Sequence, residues 1–422
     1  MKPLFINPIH GGEKVSFVPH GLLSILSYLN DRDIPFELLD LDLLCDDVDS
    51  IQDAICQVFK EKDILFTGIS ALITNYHVIR KIIRAIREMD ADQIILVGGS
   101  LGATLPSSLH CDLDADFLID RDGEYVLEQI LKVLFISKSI DKSNIQRIIK
   151  SAPPYFDVSN YNNIPLYNIF DIEVYHKYIR NSGKRFSVIS GRGCPMGCNF
   201  CFKMSGSKAR KKKVSTFVNE LSYLKKTFGI DRFNFDDDNF AINPKWISEF
   251  LGELERNKLV IEWRFQASLQ LLNDIELIKG MKKYGMVGVS IGIESGSKHM
   301  LEKLNKKIPL DKANSIFAQL RDLDLAINCS FIIGYPGENE NYLGETLTFI
   351  NQSCEKNTFQ VFYYTPYPGT VGYEECKQKK IIGDEESYIL NLRDQNFFSI
   401  NCTDLKIETL KHFRDMMLSS GI

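Results

Sequence analysis

The chain reads as two successive series of short β-branched or apolar runs, most of them followed by a stretch with apolar residues at helical spacing. That alternation requires parallel strands covered by helices. In the first series the runs are Pro3 to Ile6, Phe36 to Leu41, Ile64 to Ile69, Ile94 to Val97 and Phe117 to Ile119. Helical patterns lie at His20 to Asn30, Ile51 to Lys60, Asn75 to Glu88 and Glu124 to Val133. Five strands predict an α/β, doubly wound (flavodoxin-like) parallel sheet over residues 1–136, with ligands beyond the carboxyl ends of the strands. The loops there are 7–12, 70–75, 98–102 and 121–124. Their glycines let a backbone approach a ligand closely without saying which ligand.

Residues 137–182, with Pro153-Pro154 and several Asn and Tyr, break the alternation and read as a linker with some local structure. Alternation resumes with candidate strands Phe186 to Ser190, Arg232 to Phe235, Ile261 to Ala267, Gly288 to Ile293, Asn328 to Ile333 and Phe359 to Tyr364. Helical patterns follow most of these, which predicts a partial (β/α)6 TIM-type barrel over residues 183–371 with its chemistry at the strand carboxyl ends. Residues 372–422 read as a small C-terminal cap over that face.

At 422 residues the chain has room for two or three domains. Its net charge of −5 argues against a dedicated nucleic-acid surface, and the basic run Lys208, Arg210, Lys211, Lys212 and Lys213 reads as a solvated loop or helix entry, with a phosphate-binding patch or a contact to an anionic substrate as the alternative. No apolar stretch approaches the ~20 residues of a membrane span, and the start is too short for a signal-peptide core, so a soluble, cytoplasmic protein is expected. Ten cysteines in such a chain are better read as reduced thiols or metal ligands than as disulfides.

Three of those cysteines fall in Ser190-Gly191-Arg192-Gly193-Cys194-Pro195-Met196-Gly197-Cys198-Asn199-Phe200-Cys201, directly after the first strand of the second series. Three thiolates within eight residues, on a loop containing Gly and Pro, can converge on one metal centre. Zinc with a fourth ligand from elsewhere is one reading. An iron-sulfur cubane is the favoured one, and three thiolates would leave its fourth iron open to bind and orient a small molecule.

The spacing Cys194-x-x-x-Cys198-x-x-Cys201, with Phe200 before the last cysteine, resembles the radical S-adenosylmethionine (SAM) superfamily. The resemblance implies a 4Fe-4S cluster on Cys194, Cys198 and Cys201, SAM chelated by the open iron, and a 5′-deoxyadenosyl radical that abstracts hydrogen from an unactivated carbon. Asp236-Asp237-Asp238-Asn239-Phe240 is similar to the acidic motif that holds the SAM amino group. Glu294 in Gly292-Ile293-Glu294-Ser295-Gly296 is placed like the carboxylate that binds the ribose hydroxyls. Phe200, Asp237, Asp238, Ser268, Glu294 and Lys306 are thereby implied as SAM contacts. Ile332 to Glu338 resembles the fifth-strand motif beside the adenine.

Pro366-Tyr367-Pro368-Gly369-Thr370 resembles the sixth-strand end of one branch, which carries an amino-terminal cobalamin-binding domain. The likeness then extends from about residue 3 to 370. Ser70, Thr74, Gly98, Gly99 and Glu124 lie where such domains carry their cobalamin-facing loops. An Asp-x-His-x-x-Gly sequence, which supplies an axial histidine in other cobalamin proteins, is missing, and neither His10 nor His20 fits it.

The resemblance implies methylation of an unactivated carbon or phosphorus centre in a small-molecule or peptide substrate, with an external electron donor such as flavodoxin or ferredoxin. Dehydration, ring rearrangement or cyclisation on the same architecture, with or without functional cobalamin, is the alternative. A non-catalytic zinc or iron sensor would need all the other motifs to coincide with the cysteine loop by accident.

Overall fold

The computed structural model describes residues 1–421 except 11–14, 16 and 138–140, so Gly11 and Gly12 of the first predicted loop lie outside the described residues. The chain forms two compact units, Met1–Asp157 with Asn163–Lys184 and Asp384–Leu392, and Val158–Asn162 with Arg185–Gly383 and Arg393–Ile422.

In the first unit five parallel strands, β1 (Lys2–Asn7), β2 (Glu37–Asp40), β3 (Ile64–Ser70), β4 (Ile95–Gly98) and β5 (Phe117–Leu118), stand in the order β2-β1-β3-β4-β5. This is the doubly wound order expected from the sequence. The apolar run Ile64–Ser70 is buried at most positions because helices cover the sheet. The helix Tyr76–Met89 buries Val78, Ile79, Ile82, Ile83 and Ile86, the spacing of a single face.

The segment read as a linker is built otherwise. It carries the helices Lys142–Ser151, which buries Ile145, Ile148 and Ile149, and Ile172–Asn181, which buries Ile172, Tyr175 and Ile179. Apolar residues at helical spacing outweigh its scattered Pro and Asn. Tyr175 OH donates to Asp40 Oδ2 at 2.7 Å, and Asn7 Nδ2 donates to Asp40 Oδ1 at 2.8 Å, which fastens the second helix to the ends of β1 and β2. The predicted cap divides as well, since its stretch Asp384–Leu392 packs within the first unit.

The second unit holds β6 (Phe186–Val188), the two-residue strands β7 (Gly191–Arg192) and β8 (Arg210–Lys211), then β9 (Arg232–Phe235), β10 (Glu262–Ala267), β11 (Met286–Glu294), β12 (Ala326–Ile333) and β13 (Phe359–Tyr363). β6 and β9 to β13 form one parallel sheet with neighbours in chain order, β6 and β13 at its edges, which is the partial barrel expected. β7 and β8 pair antiparallel.

Helix boundaries follow local chemistry. Gly229 takes φ 67° after Val214–Phe228, and Asn243 caps Pro244–Arg256 by accepting from Trp246 N at 3.1 Å. An aromatic core locks these helices onto β9 and β10. Phe235 stacks on Trp263 with ring centroids 5.0 Å apart, and Phe217, Phe240, Trp246 and Phe250 close around them. Truncating Phe235 to alanine is expected to cost about 3–5 kcal/mol.

Candidate functional site

The cysteines lie on an excursion that β7 and β8 close at its base. Gly193 takes φ +86° there, where a side chain would meet Lys208 O at 2.4 Å. Three hydrogen bonds fasten the far side of the loop to one turn after the helix Lys298–Lys303. Asn199 N donates to Leu304 O at 3.0 Å, Asn199 Nδ2 to Lys303 O at 2.8 Å, and Asn305 Nδ2 to Gly197 O at 2.7 Å. Asn305 itself is left-handed, with φ 50°. Lys306, the next residue, is thereby carried to 5.8 Å above the Phe200 ring.

Lys306 Nζ lies 3.0 Å from Glu294 Oε1, with the two side chains 13% and 8% exposed. Glu294 ends β11 in a left-handed conformation, φ 69°, where the register against β12 shifts between Gly292 and Glu294. Strain of this kind collects at functional sites. A side chain at Gly292 would strike Glu294 Oε1 at 2.3 Å and Lys306 Nζ at 3.1 Å, so glycine makes the room for the pair. Burial alone would lower the Lys306 ammonium, but Glu294 and the thiols of Cys198 and Cys201 outweigh it, and the net shift is upward.

Burial pushes the Cys198 thiol up, and the same desolvation with Cys198, Asp238 and Cys194 nearby pushes Cys201 up to about 11. The three thiols therefore feel one another. A metal centre would overcome that upward shift and bind Cys198 and Cys201 as thiolates. Among the described residues, no three His, Cys, Asp or Glu side chains surround a single point as a mononuclear metal site requires. A cubane instead takes each thiolate at a different iron. The donor set and the adjoining Lys306 cation fit such a cluster with a carboxylate-bearing ligand beside it.

The acidic motif after β9 is a set of clamps. Asp236 accepts from Ser187 Oγ, Asp237 from Ser190 Oγ at 2.9 and 3.0 Å, and Asp238 from Gly193 N at 2.8 Å. Steps of three along the cysteine strand thus meet steps of one along the motif. Burial raises the carboxyls of Asp236 and Asp238. The side chains of Asp237 and Asp238, expected at SAM, are therefore turned to holding the loop. Gln266 Nε2, on β10, donates to the Asp237 carbonyl oxygen at 3.0 Å.

The basic run differs from its reading as a solvated segment. Lys211 Nζ lies 3.4 Å from Asp237 Oδ1, with its side chain 8% exposed, and 4.6 Å from the Phe240 ring. Lys212 pairs with Glu220 at 2.6 Å. Ser268 directly follows β10 and is buried. Gln270 Nε2 donates to Met196 Sδ at 3.5 Å, while its buried Oε1 has no partner among the described residues. Glu338 is buried after β12, where its Oε2 accepts from Gly334 N and its Oε1 has no partner among the described residues. Burial pushes its carboxyl up to about 8. Sequence alone assigned no role to Asn199, Asn305 or Gln270 and took Lys211 for a solvated cation, because their roles come from contacts between distant segments.

In the first unit, Ser70 and Gly98 are register partners at the carboxyl edge of β3 and β4. Thr74 follows in the 3-10 turn Ile73–Asn75. Gly99 takes φ 74°, and a side chain there would meet Ala71 O at 2.2 Å. At Gly98 a side chain would enter open space, so a ligand can approach the backbone. These four predicted positions gather at one edge. Glu124 is turned inward, accepting from Ser24 Oγ at 2.7 Å, so its carboxylate serves helix packing instead of that edge.

Comparison with known proteins places these features in context. The Radical SAM superfamily description matches residues 188–350. An uncharacterized methyltransferase of Pyrococcus horikoshii is 25% identical over 376 residues, covering 86% of this chain and 78% of that protein. The anaerobic magnesium-protoporphyrin IX monomethyl ester cyclase of Rubrivivax gelatinosus is 23% identical over 406 residues, covering 92% and 72%. Among solved structures, the radical S-adenosylmethionine methyltransferase TsrM of Kitasatospora setae, with cobalamin and a [4Fe-4S] cluster bound, aligns with TM-score 0.72 at 18% identity, covering 90% of this chain and 79% of that one. No helix of the described residues is long and apolar enough to cross a membrane.

Proposed function

We propose that this chain, which belongs to the radical SAM superfamily, is a cobalamin-dependent methyltransferase acting on an unactivated carbon or phosphorus of a small-molecule or peptide substrate. The observation that carries the radical half is the Lys306 ammonium, paired with Glu294 at 3.0 Å and held against the cysteine loop by the turn at residues 303–306. The methyl-transfer half is supported by the doubly wound first unit with its open edge at Gly98, and by the methyltransferases to which the chain is similar.

When bound, the cluster and SAM supply a hydrogen-abstracting radical, and cobalamin supplies a transferable methyl group. The residues of the chain divide the remaining work. Cys194, Cys198 and Cys201 hold the cluster. Lys306 offers an ammonium to the SAM carboxylate while holding Glu294 in place, and Glu294 accepts from the ribose hydroxyls. Asp236, Asp237 and Asp238 hold the loop that presents the thiols. Phe200 shields one side of the pair from water. A cytoplasmic setting with a flavodoxin- or ferredoxin-type electron donor accords with cysteines that form no disulfide among the described residues.

The similarity to a cyclase acting on a porphyrin ester favours a second reading, ring formation by the same radical step. The test is oxygen-free reconstitution with iron, sulfide and hydroxocobalamin, followed by EPR and reductive SAM cleavage against Cys198→Ala. Wild type holding both cofactors and forming 5′-deoxyadenosine, with the variant silent, supports the proposal. A cluster that cleaves SAM while cobalamin washes away moves the assignment to the cyclase-type reading.

A further inference from the structure

Residues along β10 alternate between two environments. Trp263 and Phe265 are buried in the aromatic core against the helices, whereas Glu262, Arg264 and Gln266 stand on the opposite, inner face of the sheet. Register sets Arg264 beside Asn234 on one side and Gly288 on the other, and Asn234 beside Ser187. One row nearer the amino ends, Arg232 stands opposite Glu262, and Arg185 directly precedes β6.

Two guanidiniums share a single carboxylate oxygen there. Arg185 Nη2 lies 3.2 Å and Arg232 Nε 3.3 Å from the same Glu262 Oε2. Arg264 has no such partner. No hydrogen bond or ion pair reaches its side chain among the described residues, and its Nε is buried. The buried Nε of Arg185, whose side chain is 12% exposed, is also without an acceptor among the described residues. Burial lowers Arg185, and the charges of Arg264 and Arg232 lower it further. Asp236, further along the same face, does not answer this excess, because Ser187 Oγ and Asn234 Nδ2 engage both its oxygens and burial raises its carboxyl.

The planar fork of arginine matches carboxylate and phosphate oxygens two at a time, and a desolvated guanidinium N–H without an acceptor is costly. Beyond Arg264 the next row toward the carboxyl edge is polar as well, Gln266, Ser290 and Asn328. Ser268 comes four residues after Arg264, roughly 13 Å further at about 3.3 Å per residue.

We infer that Arg264, together with Arg185, binds an anionic group of the substrate, a carboxylate or a phosphate, on the inner face of the second sheet, with the atom to be attacked nearer the carboxyl edge. The substrate role rests on the function proposed above. The anion site rests on the arginines alone.

The test titrates the full chain with inorganic phosphate, followed by phosphorus NMR line broadening in about 0.15 M sodium chloride, which screens diffuse surface attraction. Wild type is expected to bind saturably, and Arg264→Met more weakly by on the order of ten-fold. Arg264→Lys, which keeps the charge without the fork, should fall between them. Arg232→Gln, which removes a cation 58% exposed, should bind like wild type. Arg264 has no ion pair to lose, so Arg264→Met should unfold in urea at the same midpoint as wild type, which separates lost binding from lost folding. Binding in wild type no tighter than in Arg264→Met, or binding that disappears in the salt, overturns the inference. An equal loss in Arg232→Gln overturns it too, since a general positive field would then suffice. Succinate titrated against bound phosphate identifies the group: displacement assigns a carboxylate, and no displacement assigns a phosphate. A wild type that binds phosphate yet neither holds a cluster nor cleaves SAM after oxygen-free reconstitution overturns the substrate role and leaves the anion site standing.

Discussion

Lys211 Nζ donates to Ser190 Oγ at 2.9 Å and lies 3.4 Å from Asp237 Oδ1, beneath the cysteine loop. Burial lowers the lysine and Asp237 opposes that shift, so each charge is tolerated because the other is present. Lys211→Met is expected to cost about 3–5 kcal/mol, because it strands a buried carboxylate. The double variant Lys211→Met/Asp237→Asn should recover part of that loss, because the amide oxygen still accepts from Ser190 without carrying a charge. Urea unfolding of the cluster-free protein measures both, and a single variant as stable as wild type would show the pair to be dispensable.

If Lys306 meets the SAM carboxylate as proposed, Lys306→Met should weaken SAM binding by on the order of ten-fold, about 1.4 kcal/mol. Anaerobic equilibrium dialysis of the cluster-loaded protein reads the affinity directly. Because the variant also opens a buried ion pair, the rise in melting temperature on adding SAM serves as the control, and it should shrink in the variant. An unchanged dissociation constant would remove Lys306 from the site.

The carboxyl of Glu338 rises from its ordinary 4.5 to about 8 on folding, through burial. Its proton is thus bound more tightly in the folded chain than in the unfolded one. The associated stability is fully present below about pH 4.5, declines as the pH rises through the interval, and is gone above about pH 8. Glu338→Gln mimics the neutral acid, so its advantage over wild type should grow across that interval to a few kcal/mol, read by urea unfolding at stepped pH. Parallel pH curves for the two proteins would refute the assignment.

In the cluster-free protein Cys201 is exposed with its thiol shifted upward, so iodoacetamide should alkylate it at a rate that climbs as the pH is raised above neutrality. Reconstitution with iron and sulfide should protect Cys194, Cys198 and Cys201 together, as read by peptide mass mapping. Chelation of the iron should expose all three again. Protection of only one or two would contradict a cluster held by the trio.

Both sheets were legible because alternation of apolar runs is a local signal, and β2-β1-β3-β4-β5 follows from the crossovers. The cysteine spacing was equally local. What stayed hidden depends on partners far along the chain. Tyr175 belongs to the first unit because it meets Asp40, 135 residues away, and its own segment looks like a linker. Lys211 reads as a surface charge until Asp237, 26 residues on, is seen beside it. The acidic motif was found, but which way its carboxylates turn depends on Ser187, Ser190 and Gly193, and no spacing rule reports that.

The turn at residues 303–306 grips Gly197 and Asn199 and sets the position of Lys306 in the same stroke. It acts as a gauge between two parts that are more than a hundred residues apart in the chain. Anyone transplanting this cysteine loop into another barrel would therefore have to move the turn with it, because the loop alone would arrive without the cation's address. Lengthening the turn by one residue should leave the cluster intact while putting Lys306 out of register, separating the ability to hold iron from the ability to seat SAM.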